Sequence, residues 1–212
     1  MTGYEEELVE RRQDEPNTAA LCNEILARCQ VEPGADAAEA LQRTRALLVA
    51  ERDAALVELR RLSLGDRVET RAACPACGET SAVEFSLDAL PLEPEPAPPP
   101  GRTLEHVLAD GTRAVLRLPR AGDQEELFAA GLETESERRS WLLARVLVQY
   151  GERPGPFDLD FARGLAVGAR NALEAALDAA LPRLDLGMEV HCASCGHGFE
   201  APFDVASFFL PR

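Results

Sequence analysis

Two segments of the chain are near-copies of one another: C-P-A-C-G-E-T-S-A-V-E-F-S-L from Cys74 and C-A-S-C-G-H-G-F-E-A-P-F-D-V from Cys192. In both, a glycine follows the second cysteine directly (Gly78, Gly196). In both, a phenylalanine stands eight residues beyond that cysteine (Phe85, Phe203), with an aliphatic residue two further on (Leu87, Val205). The repeated unit reads as a C-x-x-C-G turn leading into a strand. Two thiolates so spaced can reach one ion, and the glycine supplies the backbone freedom that a tight knuckle needs. One knuckle offers two ligands, whereas a structural zinc takes four in a tetrahedron. The two pairs are therefore natural complements, and Cys74, Cys77, Cys192 and Cys195 are the expected ligands of one structural zinc per chain.

The separation has to be reconciled with that reading. Zinc ribbons usually place their pairs about 15–20 residues apart, and here 114 residues, Gly78 to His191, lie between them. Loop-closure entropy grows only with the logarithm of length, so a gap some sevenfold longer costs on the order of 1.5–2 kcal/mol. Structural zinc binding is worth roughly 10–16 kcal/mol apparent. The intervening residues then form a body inserted between two halves of one site. Two other readings stay open: a thiol–disulfide pair in C-P-A-C, and two metal-free knuckles packed as structure. The redox reading wants its cysteines at a helix start, where the dipole stabilises a thiolate, and here glycine and a strand follow each pair.

Composition narrows the class. A net charge of -15, with 22 basic against 37 acidic residues, opposes binding to nucleic acid, which rewards a basic surface. The start, M-T-G-Y-E-E-E-L, has neither the basic nor the apolar region of a secretory signal. No apolar run reaches the roughly 18 residues of a membrane span. A cytoplasmic location follows as an expectation, and there six cysteines read as ligands or buried apolar residues rather than disulfides. Catalytic signatures such as G-x-S-x-G, H-E-x-x-H, a P-loop or a dinucleotide fingerprint are missing. Four thiolates leave zinc no open position for water, so no enzyme and no small-molecule substrate are expected. His191 and His197 flank the second pair and read as bystanders, and His106 as structural.

Along the chain, Asn17 or Thr18 opens a helix through A-A-L-C-N-E-I-L-A-R-C. Cys22, Ile25, Leu26 and Cys29 fall there on one face, which makes these two cysteines core residues. Asp36 with Glu39 opens a long amphipathic helix to about Leu64, leading straight into the first knuckle. P-L-E-P-E-P-A-P-P-P from Pro91 reads as a polyproline spacer. T-L-E-H-V-L-A-D-G-T-R-A-V-L-R-L-P reads as a hairpin turning at Asp110-Gly111. Asp123 and Glu126 form a helix-capping pattern, and Thr134-x-x-Glu137 opens a helix through Trp141 to Tyr150 that Gly151 stops. A further helix spans about Asp160 to Leu181, L-G-M-E-V-H is a strand, and V-A-S-F-F-L is an apolar tail. The expected fold is α+β and mostly helical, with a split zinc ribbon and a small β-hairpin. Its parts are an N-terminal helical region (1–66), a first knuckle half (67–90), a Pro-rich linker (91–102), an inserted hairpin and helices (103–183), and a second knuckle half with the apolar C-terminus (184–212).

The order of these parts (E-R-D-A-A-L-V-E-L-R-R-L, C-P-A-C-G-E, a Pro-rich break, D-G-T-R-A-V-L-R-L-P-R-A-G-D, helices, then C-A-S-C-G-H-G-F-E-A-P-F-D-V-A-S-F-F) resembles the phage baseplate protein family that includes the T-even phage baseplate hub assembly proteins. The likeness covers roughly residues 40 to 210. It implies a role in building or forming the baseplate of a contractile, tail-like injection particle, with other baseplate or tail proteins as partners. Cys74, Cys77, Cys192 and Cys195 match the family's cysteines. Arg117, Leu118, Pro119 and Asp123 match its other recurrent segment. A zinc-ribbon adaptor of another cytoplasmic complex is the alternative that the residues alone allow.

Overall fold

The structure is a computed structural model that describes residues 1–12, 16–30, 36–89, 103–181 and 187–202. The spacer from Pro91, the apolar tail, Phe203 and Val205 lie outside these residues. Helices α1 (Gly3–Arg11), α2 (Thr18–Cys29), α3 (Ala37–Ala46) and α4 (Val49–Leu64) come first, followed by the antiparallel hairpin β1 (Arg67–Ala73) and β2 (Thr80–Ser86). A mixed unit follows: β3 (Thr103–Val107), β4 (Arg113–Arg117), α5 (Ala121–Ala129), α6 (Glu135–Val146), β5 (Leu147–Tyr150), β6 (Arg153–Pro154), α7 (Leu159–Gly164) and α8 (Val167–Ala180). Its four strands form one sheet in the order β3-β4-β5-β6. A last hairpin, β7 (Gly187–His191) with β8 (Gly198–Pro202), ends the described chain. The architecture is the expected α+β, with helices outweighing small antiparallel sheets.

Two apolar clusters hold it together. The first gathers Val9, Leu21, Cys22, Ile25, Leu26, Leu56 and Val57 from the N-terminal helices with Val68 and Leu87 from the first hairpin. Cys22 is buried in this cluster and Cys29 packs against it, as the helical stripe implies. The second cluster gathers Leu48, Leu116, Leu118, Leu143, Val146, Leu173 and their neighbours around the four-stranded sheet.

Several element boundaries depart from the sequence reading. The helix expected from Asp36 to Leu64 breaks at Leu47 and Leu48, which both take extended backbone. There the Leu47 carbonyl accepts the Ala121 amide at 2.8 Å, Leu48 bridges to Arg120, and the Leu48 side chain enters the second core. Burial of one leucine and a backbone bridge outweigh the local helical preference of the Ala/Leu/Arg pattern. Strand β1 then intervenes between α4 and the first knuckle. The helix expected to reach Tyr150 stops at Val146, because Leu147–Tyr150 pairs with β4. The helix expected from Asp160 divides at Leu165 and Ala166 into α7 and α8. The hairpin at Asp110 is closed by Leu108 and Thr112 rather than by a two-residue turn, with Gly111 at φ 83 and the Asp110 carboxylate accepting the Thr112 amide. Asp123 stands inside the first turn of α5, where it accepts the Arg120 amide at 2.8 Å. Thr134 and Glu137 do form the expected reciprocal cap of α6.

Candidate metal centre

Both knuckles are built by the same backbone device. In the first, the Cys74 amide donates to the Glu79 carbonyl at 2.9 Å, and the Gly78 amide to the Cys74 carbonyl at 2.8 Å. In the second, Cys192 donates to His197 and Gly196 to Cys192, each at 2.9 Å. Gly78 and Gly196 sit at φ 73 and 72, a left-handed conformation that a side chain disfavours. Each knuckle therefore caps a hairpin, β1–β2 or β7–β8, and presents two sulfurs at its tip.

The hairpins meet tip to tip. Cys74 Sγ lies 3.7 Å from Cys195 Sγ, and Cys77 Sγ 3.7 Å from Cys192 Sγ. All four sulfurs lie within 4.8 Å of one another. The first cysteine of each knuckle is buried and the second exposed, and each cross-pair joins a buried sulfur to an exposed one. A tetrahedral ion with metal–sulfur bonds of about 2.3 Å sets its ligands about 3.8 Å apart. Both cross-pairs match that spacing, and the four cysteines could hold one metal ion.

The protonation chemistry points the same way. The amides of Cys195 and then Ser194 donate to the Cys192 sulfur and draw its thiol down to about 6. The Glu79 amide pulls the Cys77 thiol down. The sulfurs of Cys195, Cys192 and Cys74, with some burial, outweigh that pull and push it up to about 12. Without a cation, four thiolates cannot share so small a space, and protons are retained. A bound cation removes that repulsion, so binding releases protons. His191 and His197 stay out of the cluster, and His197 stacks on Phe199 with ring centroids 6.4 Å apart. His106 lies half-buried on β3.

Sequence reasoning missed Ser81. This β2 residue is 7% exposed, and its hydroxyl lies 4.0 Å from Cys192 Sγ and accepts the Ala193 amide at 3.4 Å. A signal was present, because Ser81 stands where the second repeat has Phe199.

The recurrent Arg117–Asp123 segment also acquires a physical role. Asp123, 5% exposed, receives both ends of the Arg117 guanidinium at 2.6 and 2.7 Å, the Arg120 amide, and Arg145 Nε at 3.2 Å. Burial opposes its charge, but these donors outweigh burial and hold the carboxyl below its ordinary range. Leu118 is buried in the second core, and Pro119 lines an apolar cavity of about 370 Å³ beside Leu48, Leu127, Leu142 and Leu181. The neighbouring Glu125 takes Arg45 of α3 in a two-pronged pair and the Asn23 amide of α2 at 2.9 Å. Helix α5 is thereby pinned to the N-terminal helices.

An α+β body with two CxxC hairpins whose four cysteines could hold one metal ion is consistent with a zinc-ribbon architecture. The chain belongs to the T4 bacteriophage base plate protein family, whose model matches residues 1–149. That match begins well before residue 40 and includes Cys74, Cys77 and the Arg117–Asp123 segment. It stops short of Cys192 and Cys195. No curated protein and no solved structure matches the chain. No described helix is long and apolar enough to cross a membrane.

Proposed function

We propose that the protein is a non-enzymatic baseplate component or baseplate assembly chaperone of a phage-tail-like contractile injection particle, with one structural zinc clamping the two ends of its fold. Family membership supports the baseplate role. The observation that carries the clamp is the convergence of Cys74, Cys77, Cys192 and Cys195 from two hairpins far apart in sequence. Four sulfurs fill a tetrahedral shell, so bound zinc supplies cross-linking rather than a site for water or substrate. The knuckles follow strands and turns, not helix starts, which favours metal ligation over thiol–disulfide chemistry. The protein's work then lies on the surfaces that the clamp holds in place, engaging other baseplate or tail proteins in the bacterial cytoplasm.

Affinity purification of the tagged chain from its native host tests the role. Recovery of baseplate or tail proteins is expected, and recovery of none of them argues against it. Sedimentation of assembled particles separates the two versions: a permanent component travels with the particle, and a chaperone stays in the soluble pool.

A further inference from the structure

The two knuckles share one backbone plan, yet the side chains that continue it differ at a position that matters. Three residues past the turn glycine of each repeat comes an inward-facing strand position. It is Ser81 in the first hairpin and Phe199 in the second. On β2 the inward positions are Ser81, Val83 and Phe85, and Phe85 packs against the helical core. A polar residue in such a row leaves a hydroxyl in a buried place, which costs stability unless it is bonded. Ser81 is bonded, and to the other knuckle: it takes the Ala193 amide and faces the Cys192 sulfur. These contacts span more than a hundred residues of sequence and join a strand of one hairpin to the turn of the other.

We propose that Ser81 is a positioning residue for the metal centre: its hydroxyl sets the second knuckle against the first and orients the Cys192 sulfur as a ligand. An O–H donor to a thiolate spreads the ligand's charge and fixes its direction. Outer groups of this kind tune metal affinity by about 10–100-fold. Accepting the Ala193 amide at the same time holds the backbone of the C-A-S-C turn, so one side chain orders both the ligand and the loop that carries it. The repeat is thus unequal by design: the first hairpin contributes two ligands and a brace, the second two ligands and the braced turn.

This inference rests on the four-cysteine metal reading, and its test separates the two. Cobalt(II) and zinc are titrated into the full chain against a chromophoric chelator, for wild type, Ser81→Ala, Ser81→Thr and Thr80→Ala. Thr80→Ala removes an exposed hydroxyl next door. Weakening of metal binding by 10–100-fold in Ser81→Ala is expected, with a shifted thiolate-to-cobalt absorption band. Ser81→Thr, which keeps the hydroxyl, and Thr80→Ala should stay near wild type. In the zinc-loaded protein, the Ala193 amide should exchange faster in Ser81→Ala. Wild-type affinity and spectrum in Ser81→Ala overturn the inference while leaving the metal site intact. Equal loss in Ser81→Ala and Ser81→Thr also overturns it, because the defect then follows shape rather than the hydroxyl. A wild-type chain that binds neither ion fails at the earlier step and removes both readings.

Discussion

The two knuckle hairpins have nearly superimposable turn chemistry and very different anchorage. The first is rooted at its base: Val68 and Leu87 sit in the N-terminal apolar core, and Phe85 packs against it. The second has no such root among the described residues, since neither apolar cluster includes a residue of β7 or β8. Its described ties to the first hairpin run through the sulfurs and Ser81. Among the described residues, the first hairpin is rooted in the helical core, while the second buries Val190 and Ala201 without entering either cluster. A metal ion bound by the four cysteines would tie the second hairpin to the first.

The largest expected effect strikes both hairpins alike. Wild type should carry one zinc per chain, and Cys74→Ser or Cys192→Ser should each lose nearly all of it, measured by elemental analysis of purified protein. Two independent sites would instead leave half in each variant. The apparent energy at stake is that of structural zinc, roughly 10–16 kcal/mol.

Removal of metal by a chelator sharpens the contrast. Amide exchange should lose protection across Gly187–Pro202 while α2 and α4 keep theirs, because the helical core does not depend on the clip. Equal loss in both regions would contradict the asymmetry.

Further from the hairpins, Asp123→Asn leaves Arg117 short of its carboxylate and should cost about 3 kcal/mol in urea unfolding at neutral pH. The sign with pH follows from the depressed carboxyl. Its stabilisation is fully present above the unfolded value of about 3.9 and is lost as pH falls through the lower folded value. The gap between wild type and variant should therefore close in that acid window, whereas a gap unchanged down to pH 2 would exclude the carboxylate as its source.

The smallest effect returns to the turns. Gly78→Ala and Gly196→Ala should each cost about 1–2 kcal/mol, since the space around both is open and only the left-handed backbone resists. Unfolding of zinc-loaded variants measures it, and clearly unequal costs would show that the turns are less alike than their hydrogen bonds.

Much of the site was legible because ligand chemistry is local. A C-x-x-C-G turn needs its glycine at a fixed offset, so each knuckle could be read from its spacing, and their pairing was expected from the matched repeat and the four ligands that zinc takes. The α+β class, the burial of Cys22 and the packing of half-buried Cys29 against the same core were likewise visible in the sequence pattern. What escaped were the decisions taken by distant partners. The break at Leu47–Leu48 answers to Arg120 and Ala121, and the early end of α6 answers to strand β4. Local propensity favoured helix in both places, and tertiary pairing overruled it.

By itself, then, the sequence pointed to four cysteines that come together at one place and, by its order of parts, to the baseplate family. Only the tertiary structure decided that Arg117 and Asp123 lock a buried ion pair, that Ser81 reaches the opposite knuckle, and that one hairpin is rooted and the other held. The physical reason is range: a knuckle is specified by residues within five positions of each other, whereas a brace or a buried ion pair exists only when folding brings its partners into contact.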